Sequence, residues 1–416
     1  MDRLRSNCAL LSVLSPFIFF FPGNVVSAPI KRLPATPPLK RIEITKTNNY
    51  FPGFNSAVYP ANSPSPASLD DLRHYVGRRI HLDSRNDPGV IIQALEWVSL
   101  QWKQDGMNEP RKGESALDIL KDVHEKGQRY RCVEYSLVLA DILRSLGYVS
   151  RELSLRSVNV AYGPGGQGHV AVEVWSNRLE KWIFVDPQFS VYATYKGKYL
   201  DYYEIYQLKR QGKFSDIQFH VTQGYQKRHP KFDLQDYERD YRKFLGQYFG
   251  YMATPIVRSG KTYGLVLQLD GRRETLTFQG LPLGNNLFTR NWRDLYFDAN
   301  RTVINFQYRH DAGSYQTLLK QKGLTVDGKT DQEMEAKIAK LEPSFAAKPE
   351  FIVSFLNDSP WHSYYEYRFS ARGAWARANG DLVNWNLKSG RNYLEARSVN
   401  HMGIPGPATF VNILYQ

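Results

Sequence analysis

The run Gln128-Arg129-Tyr130-Arg131-Cys132-Val133-Glu134-Tyr135-Ser136, continuing from Leu137 through Leu146 to a stop at Gly147, decides how the chain is organised. Read as a helix, Val133, Leu137, Val138, Leu139, Ala140, Ile142, Leu143 and Leu146 cover most of the circumference, leaving Glu134, Asp141 and Ser145 as a narrow polar stripe. A helix so widely apolar is buried, and Gly147 supplies a left-handed C-cap. Cys132 therefore stands at the N-terminus of a core helix, where unbonded N–H groups and the helix dipole favour a thiolate and can hold an oxyanion. Position alone leaves a second reading open, a buried structural cysteine.

Three helices are expected before it. Residues 69–76 read as helical, as do residues 88–104, where Val90, Ile91, Ala94, Leu95, Val98 and Trp102 recur at three- and four-residue spacing and Pro88 fits the first turn. Residues 115–125 follow, with Ser115 as N-cap and Gly127 closing. After Gly147 the period changes from 3.6 to 2. Residues 148–155, 169–175 and 181–185 read as strands, with a glycine-rich loop over 162–168. An antiparallel hairpin centred between Asn177 and Arg178 puts His169 directly across from Asp186, with Ala171 opposite Phe184 and Glu173 opposite Trp182 on the same face.

A nucleophilic thiol needs a base within reach, and the base needs an orienting group. Cys132, His169 and Asp186 meet that requirement as nucleophile, base and orienter. Attack on an amide or ester carbonyl would form an oxyanion facing the Cys132 N–H, with Gln101, Trp102 and Gln128 as unranked candidates for a second donor. The segments Arg131 to Ser136 and Leu143 to Arg151 resemble the cysteine-helix signature of the bacterial transglutaminase-like superfamily, and Gly168 to Trp175 and Lys181 to Pro187 are similar to its histidine and aspartate segments. The resemblance covers roughly residues 88–190. It implies a papain-like core in an α+β fold, the cysteine helix packed on an antiparallel sheet. Its members include cross-linkers, proteases, amidases and catalytically silent relatives, so fold and triad do not select a substrate.

Arg3 and Arg5 precede an apolar stretch from Ala9 to Phe21, and Val26-Ser27-Ala28 resembles a cleavage site. That pattern reads as a secretory signal over residues 1–28, with periplasmic or extracellular export. An uncleaved anchor is the variant reading, because Pro29 is a poor residue after a cleavage point. Cys8 lies at the front of the apolar region, which argues against lipid attachment, and cleavage would leave Cys132 as the one cysteine of the exported chain. An unpaired thiol in an oxidising compartment is a liability unless buried or used.

Lys and Arg number 54 against 41 Asp and Glu, a balance of +13 that suits an anionic polysaccharide or membrane surface. No compact basic run with interleaved aromatics is present, which argues against nucleic acid. No histidine pair has metal-ligand spacing, and the chemistry calls for no cofactor.

Residues 29–68 read as a Pro/Ser-rich linker with a short strand at 40–45, and residues 69–250 as the transglutaminase-like domain. Helices are expected at 199–209 and 234–248, and Tyr195, Tyr199, Tyr202, Tyr203 and Tyr206 as packing residues or the lining of a sugar or peptide groove. A β-rich region over 251–345 contains strands at 263–269, 274–278 and 303–308 and a helical insert at 330–341. Residues 346–416, with strands at 351–355, 364–369, 391–399 and 409–414, resemble an immunoglobulin- or fibronectin-III-like β-sandwich. Asn300-Arg301-Thr302 fits a glycosylation acceptor. Two functions stay open: an exported Cys-His-Asp enzyme acting on peptide, protein or other amide-bearing envelope substrates, and a non-catalytic envelope or polysaccharide-associated binding protein retaining the fold.

Overall fold

A computed structural model describes residues 42–50, 65–160, 168–229, 233–258, 261–271, 286–308, 332, 350–357, 362–380 and 382–416. The signal segment, the strand expected at 274–278 and the insert expected at 330–341, its position 332 apart, lie outside the described residues. A first strand β1 (Ile42–Thr47) precedes four helices, α1 (Pro66–Gly77), α2 (Gly89–Ser99), α3 (Ala116–Lys126) and α4 (Cys132–Ser145). Next come β2 (Ser150–Arg156), β3 (Gly168–Ser176), β4 (Lys181–Asp186), β5 (Val191–Tyr195), β6 (Lys198–Tyr199), α5 (Tyr202–Arg210), β7 (Gln218–Val221), α6 (Gln223–Arg228) and α7 (Leu234–Leu245). Strands then dominate: β8 (Tyr251–Arg258), β9 (Lys261–Gln268), β10 (Asn286–Thr289), β11 (Val303–Tyr308), β12 (Glu350–Leu356), β13 (His362–Arg368), β14 (Ala376–Arg377), β15 (Leu382–Asn386), β16 (Gly390–Asn400) and β17 (Thr409–Tyr415). The architecture is α+β.

Capping chemistry sets the helix ends. The Asp118 N–H donates to Ser115 Oγ at 3.2 Å while the Ser115 N–H donates to Asp118 Oδ2 at 3.0 Å, and Gly127 ends α3 at φ 66°. Helix α5 starts at Tyr202, three residues later than expected, because Asp201 caps it by accepting from the Glu204 N–H at 2.7 Å. Helix α2 stops at Ser99, short of the expected residue 104. Beyond that point Trp102 leaves the helical face and stacks on Tyr135, ring centroids 4.1 Å apart.

Helix α4 closes in a Schellman arrangement, Gly147 N–H to Arg144 O at 2.9 Å and Tyr148 N–H to Leu143 O at 3.0 Å. Gly147 has φ 89°, and a Cβ there would lie 2.2 Å from Asn400 Nδ2, which donates to Gly147 O at 3.0 Å. Conformation and close approach both demand glycine. The polar stripe of α4 departs from a solvent face. Glu134, Asp141 and Ser145 are all buried. Asp141 meets Arg144 Nη1 at 2.6 Å, Arg144 Nη2 meets Glu152 Oε1 at 3.1 Å, and Ser145 Oγ donates to Ile142 O at 2.7 Å. Burial pushes the Asp141 carboxyl up to about 7 against the pull of Arg144.

Nine strands form the main sheet, in the order β10-β9-β8-β2-β3-β4-β5-β6 with β7 also paired to β5. Both faces are covered. Val172, Val174, Ile183 and Val185 pack with α1 to α4, whereas Ala171, Trp175 and Phe184 share the opposite core with Tyr202, Ile205, Tyr241 and Leu245 from α5 and α7. The expected division at residue 250 falls at no edge of this sheet, since β8 pairs with β2 through Ser154↔Ala253 and Leu155↔Met252. Of the tyrosines expected as packing residues or groove lining, Tyr202 and Tyr206 are buried core, as the packing reading has it.

The β3–β4 hairpin differs from expectation by two residues. Glu173 faces Phe184 and Trp175 faces Trp182, so Ala171 rather than His169 stands across from Asp186. The loop Asn177–Glu180 holds four residues because Asp87 accepts from Ser176 Oγ at 2.6 Å and from the Arg178 N–H at 3.0 Å, while Glu180 takes φ 50°. A shift of two preserves side-chain parity, and His169 and Asp186 remain on one face as diagonal neighbours.

The remaining strands form a five-stranded sheet, β1-β17-β16-β13-β14, and a three-stranded sheet, β11-β12-β15. Phe351, Val353, Phe355 and Trp385 of the smaller sheet share one core with Leu394, Ala396, Val411 and Ile413 of the larger. Strand β1, inside the expected linker, pairs antiparallel with the last strand, Ile42 opposite Tyr415. Asn300 is 4% exposed and its Nδ2 donates to Asn177 Oδ1 at 3.0 Å, which withdraws it as a glycosylation acceptor. No described helix is long and apolar enough to cross a membrane.

Candidate active site

The first turn of α4 presents Cys132, half-buried and free of any disulfide. Its terminus is fixed by Glu134, which accepts from the Arg131 N–H at 3.1 Å and pairs with Arg131 Nη2 at 3.0 Å. Glu134 is thus a capping residue. Ser136 Oγ, one turn on, donates to Val170 O at 2.9 Å and ties the helix to β3.

His169 and Asp186 are almost fully buried, with Nε2 and Oδ2 2.7 Å apart. With Nε2 engaged, Nδ1 is the ring nitrogen left for the Cys132 thiol, whose pKa His169 lowers. Asp186 also accepts from Tyr241 Oη at 2.9 Å and from the Gln188 N–H at 3.2 Å. Three donors hold the carboxylate in one orientation, and the carboxylate in turn fixes the imidazole. The ring is walled by Phe244 edge-on at 5.1 Å, Phe189 at 5.7 Å and Tyr248 at 6.2 Å between centroids.

Opposed effects set the charges. Burial raises the Cys132 thiol, but the hydrogen bond and charge of His169 and a hydrogen bond from the Val170 N–H outweigh it, and its pKa falls below the ordinary thiol value. Burial lowers His169, yet the Asp186 charge and hydrogen bond raise it to about 9. Both shifts favour a thiolate–imidazolium pair. Because the folded pKa of His169 exceeds that of a free imidazole, about 6.5, its contribution to stability is complete below about 6.5 and is lost as pH rises through about 9.

Gln101 and Trp102, two of the second-donor candidates, each use a side-chain N–H in the helical layer, and Gln128 is engaged there through its acceptor oxygen. Gln101 Nε2 donates to Trp97 O at 2.5 Å and its Oε1 meets His124 Nε2 at 2.9 Å. Trp102 Nε1 donates to Tyr130 O at 3.3 Å, and Gln128 Oε1 accepts from Asn108 Nδ2 at 3.3 Å. Two further groups at the site are ones that sequence reasoning missed. The Val170 N–H, next to His169, contributes to lowering the Cys132 thiol pKa, and Tyr241 is 55 residues from its carboxylate partner, with no local signal to join them. Among the described residues no three His, Cys, Asp or Glu side chains are grouped to hold a metal ion.

No protein-family model and no curated protein matches the chain. Among solved structures, a candidate cysteine protease from Cytophaga hutchinsonii aligns over 31% of this chain and 40% of its own, at 15% identity and a TM-score of 0.23. The chain thus spans less than half the length of that protein. Red sea bream transglutaminase aligns over 88% of this chain and 78% of its own, at 10% identity and a TM-score of 0.24. Arylamine N-acetyltransferase from Salmonella typhimurium aligns over 68% and 100%, at 11% identity and a TM-score of 0.20. Likeness at this level bears on neither membership nor activity.

Proposed function

We propose that the chain is an exported cysteine enzyme of transglutaminase-like type that transfers the acyl group of an amide through a thioester on Cys132. The observation that supports this reading is the buried His169–Asp186 hydrogen bond at 2.7 Å, with His169 acting on the Cys132 thiol to lower its pKa. In the first step the thiolate sulfur bonds to the carbonyl carbon, and the resulting oxyanion lies by the N-terminal N–H groups of α4. His169 then gives its proton to the departing amine as the C–N bond breaks. In the second step His169 takes a proton from water or an acceptor amine, which attacks the thioester and releases the thiolate. Hydrolysis is the acceptor reaction proposed, with cross-linking as the second outcome. The substrates proposed are amide-bearing envelope peptides or proteins, and the C-terminal sheets, read as an immunoglobulin-like module, would serve as a spacer or ligand platform.

The test is a screen of envelope peptides for released ammonia or amine. Wild-type protein is expected to release one of them, and Cys132→Ala to lower the rate by at least about 10³-fold. Release that persists in Cys132→Ala at the wild-type rate would end the assignment.

A further inference from the structure

A cleft of about 580 Å³ opens at the end of the C-terminal sheets, between the residues that follow β13, strand β15 and the turn into β16. That volume falls within the range of small-ligand sites, about 300 to 1,000 Å³. Three kinds of group line it. Phe369 is held by two ring contacts, to Trp385 at 6.3 Å and to Tyr367 at 5.4 Å between centroids, yet is 46% exposed. Asn384 and Asn386 alternate on the exposed face of β15, and neither side chain has a hydrogen-bond partner among the described residues. Lys388 and Arg391 are exposed and make no ion pair among the described residues, whereas Arg368 and Arg397 of β13 and β16 are paired to Glu395 at 2.6 Å and Glu366 at 2.7 Å. No acidic side chain lines the cleft. The turn that carries its two cations is tied across: Asn392 Oδ1 accepts from the Lys388 N–H at 2.8 Å, and Asn392 Nδ2 donates to Lys388 O at 2.7 Å and to Gly390 O at 3.0 Å. A ring and a turn fixed before a ligand arrives reduce the ordering cost of binding.

We infer that this cleft binds an acidic oligosaccharide, one whose rings carry carboxylates; the inference does not depend on the acyl-transfer reading. A uronate unit uses all three kinds of group. The C–H face of its ring packs on the electron-rich face of Phe369. Its hydroxyls pair with Asn384 and Asn386, each amide supplying two donors and an acceptor. Its carboxylate meets the planar fork of Arg391, with Lys388 as a second positive charge. An acidic peptide would use the two cations, but a peptide strand finds its hydrogen bonds along the backbone edge of a sheet and calls for no free side-chain amides. A glycan has no such backbone and depends on side-chain amides for its hydroxyls.

Isothermal titration of the full chain tests this with trimers of galacturonate, mannuronate and glucuronate, their methyl esters as neutral counterparts, and hexaglutamate as an acidic chain without sugar rings. At least one acidic trimer is expected to bind at a single site, and its ester to bind about tenfold more weakly, the scale of one charge-assisted hydrogen bond. Arg391→Gln and Phe369→Ala, both at exposed positions, should each weaken that trimer by about tenfold at an unchanged melting temperature. Cys132→Ala should bind it as the wild type does. No saturable binding of any trimer, equal affinity for acid and ester, or hexaglutamate bound as tightly as the trimers overturns the inference. So does an affinity unmoved in Arg391→Gln or in Phe369→Ala, or one lost in Cys132→Ala, which would put the trimer at the thiol instead.

Discussion

Asp186→Asn is expected to lower turnover by about 10³- to 10⁴-fold while leaving the fold intact. Asp186 accepts from His169 Nε2 at 2.7 Å, Tyr241 Oη at 2.9 Å and the Gln188 N–H at 3.2 Å. Asparagine keeps the size and one oxygen, and that oxygen can still serve Tyr241 or Gln188. Its amide group, turned to the ring, donates to Nε2 and moves the neutral imidazole's proton to Nδ1. That nitrogen then has no lone pair for the thiol. Loss of the carboxylate charge also removes what raises His169 to about 9 against its burial, so the imidazolium pKa must fall. Turnover and the His169 titration, followed by NMR, should move together. Activity within about tenfold of wild type, with the titration unmoved, would take Asp186 out of the series.

Glu173→Ala carries the largest expected loss of stability, about 3 to 5 kcal/mol in a denaturant titration. Glu173 is fully buried on β3 and accepts from Arg151 Nε at 3.0 Å, Arg151 Nη2 at 2.6 Å, the Tyr202 N–H at 2.8 Å and Tyr296 Oη at 2.9 Å. One carboxylate thus joins β2, β3, the start of α5 and a segment more than a hundred residues away. Truncation leaves the buried Arg151 cation and two further donors without their acceptor, and that penalty is greater than the worth of the pair itself. The paired change Arg151→Met with Glu173→Leu should recover part of the loss. Equal loss in the single and double variants would show that packing, not the buried charge, sets the cost.

Much of the site could be read from the sequence because its signals are local. The apolar run after Cys132, the glycine after Leu146 and the Ser115 N-cap each depend on residues within a few positions, and each forms as expected. The strands bearing His169 and Asp186 were legible from period-2 patterning, and their common face survived the register error because parity was preserved. The error itself came from Asp87, which closes the hairpin loop from about ninety residues upstream. Long-range partners account for the other gaps. Nothing in the sequence joins Tyr241 to Asp186, β1 to β17, or β8 to β2 across residue 250. Nor does composition show that the polar stripe of α4 is buried: Asp141 meets Arg144 within the helix, but Arg144 meets Glu152 only when α4 packs on β2.

The central claim is that Cys132 and His169 form a thiolate–imidazolium pair. Its most direct test is a pH titration of the ultraviolet thiolate absorbance, taken as the difference between the wild-type protein and Cys132→Ala to remove Cys8 and the tyrosines. The expected result is thiolate appearing below the ordinary thiol pKa of about 8.5, the direction in which His169 and the Val170 N–H act against burial. Thiolate that appears only at or above about 8.5 would contradict the pairing on which the proposed chemistry rests.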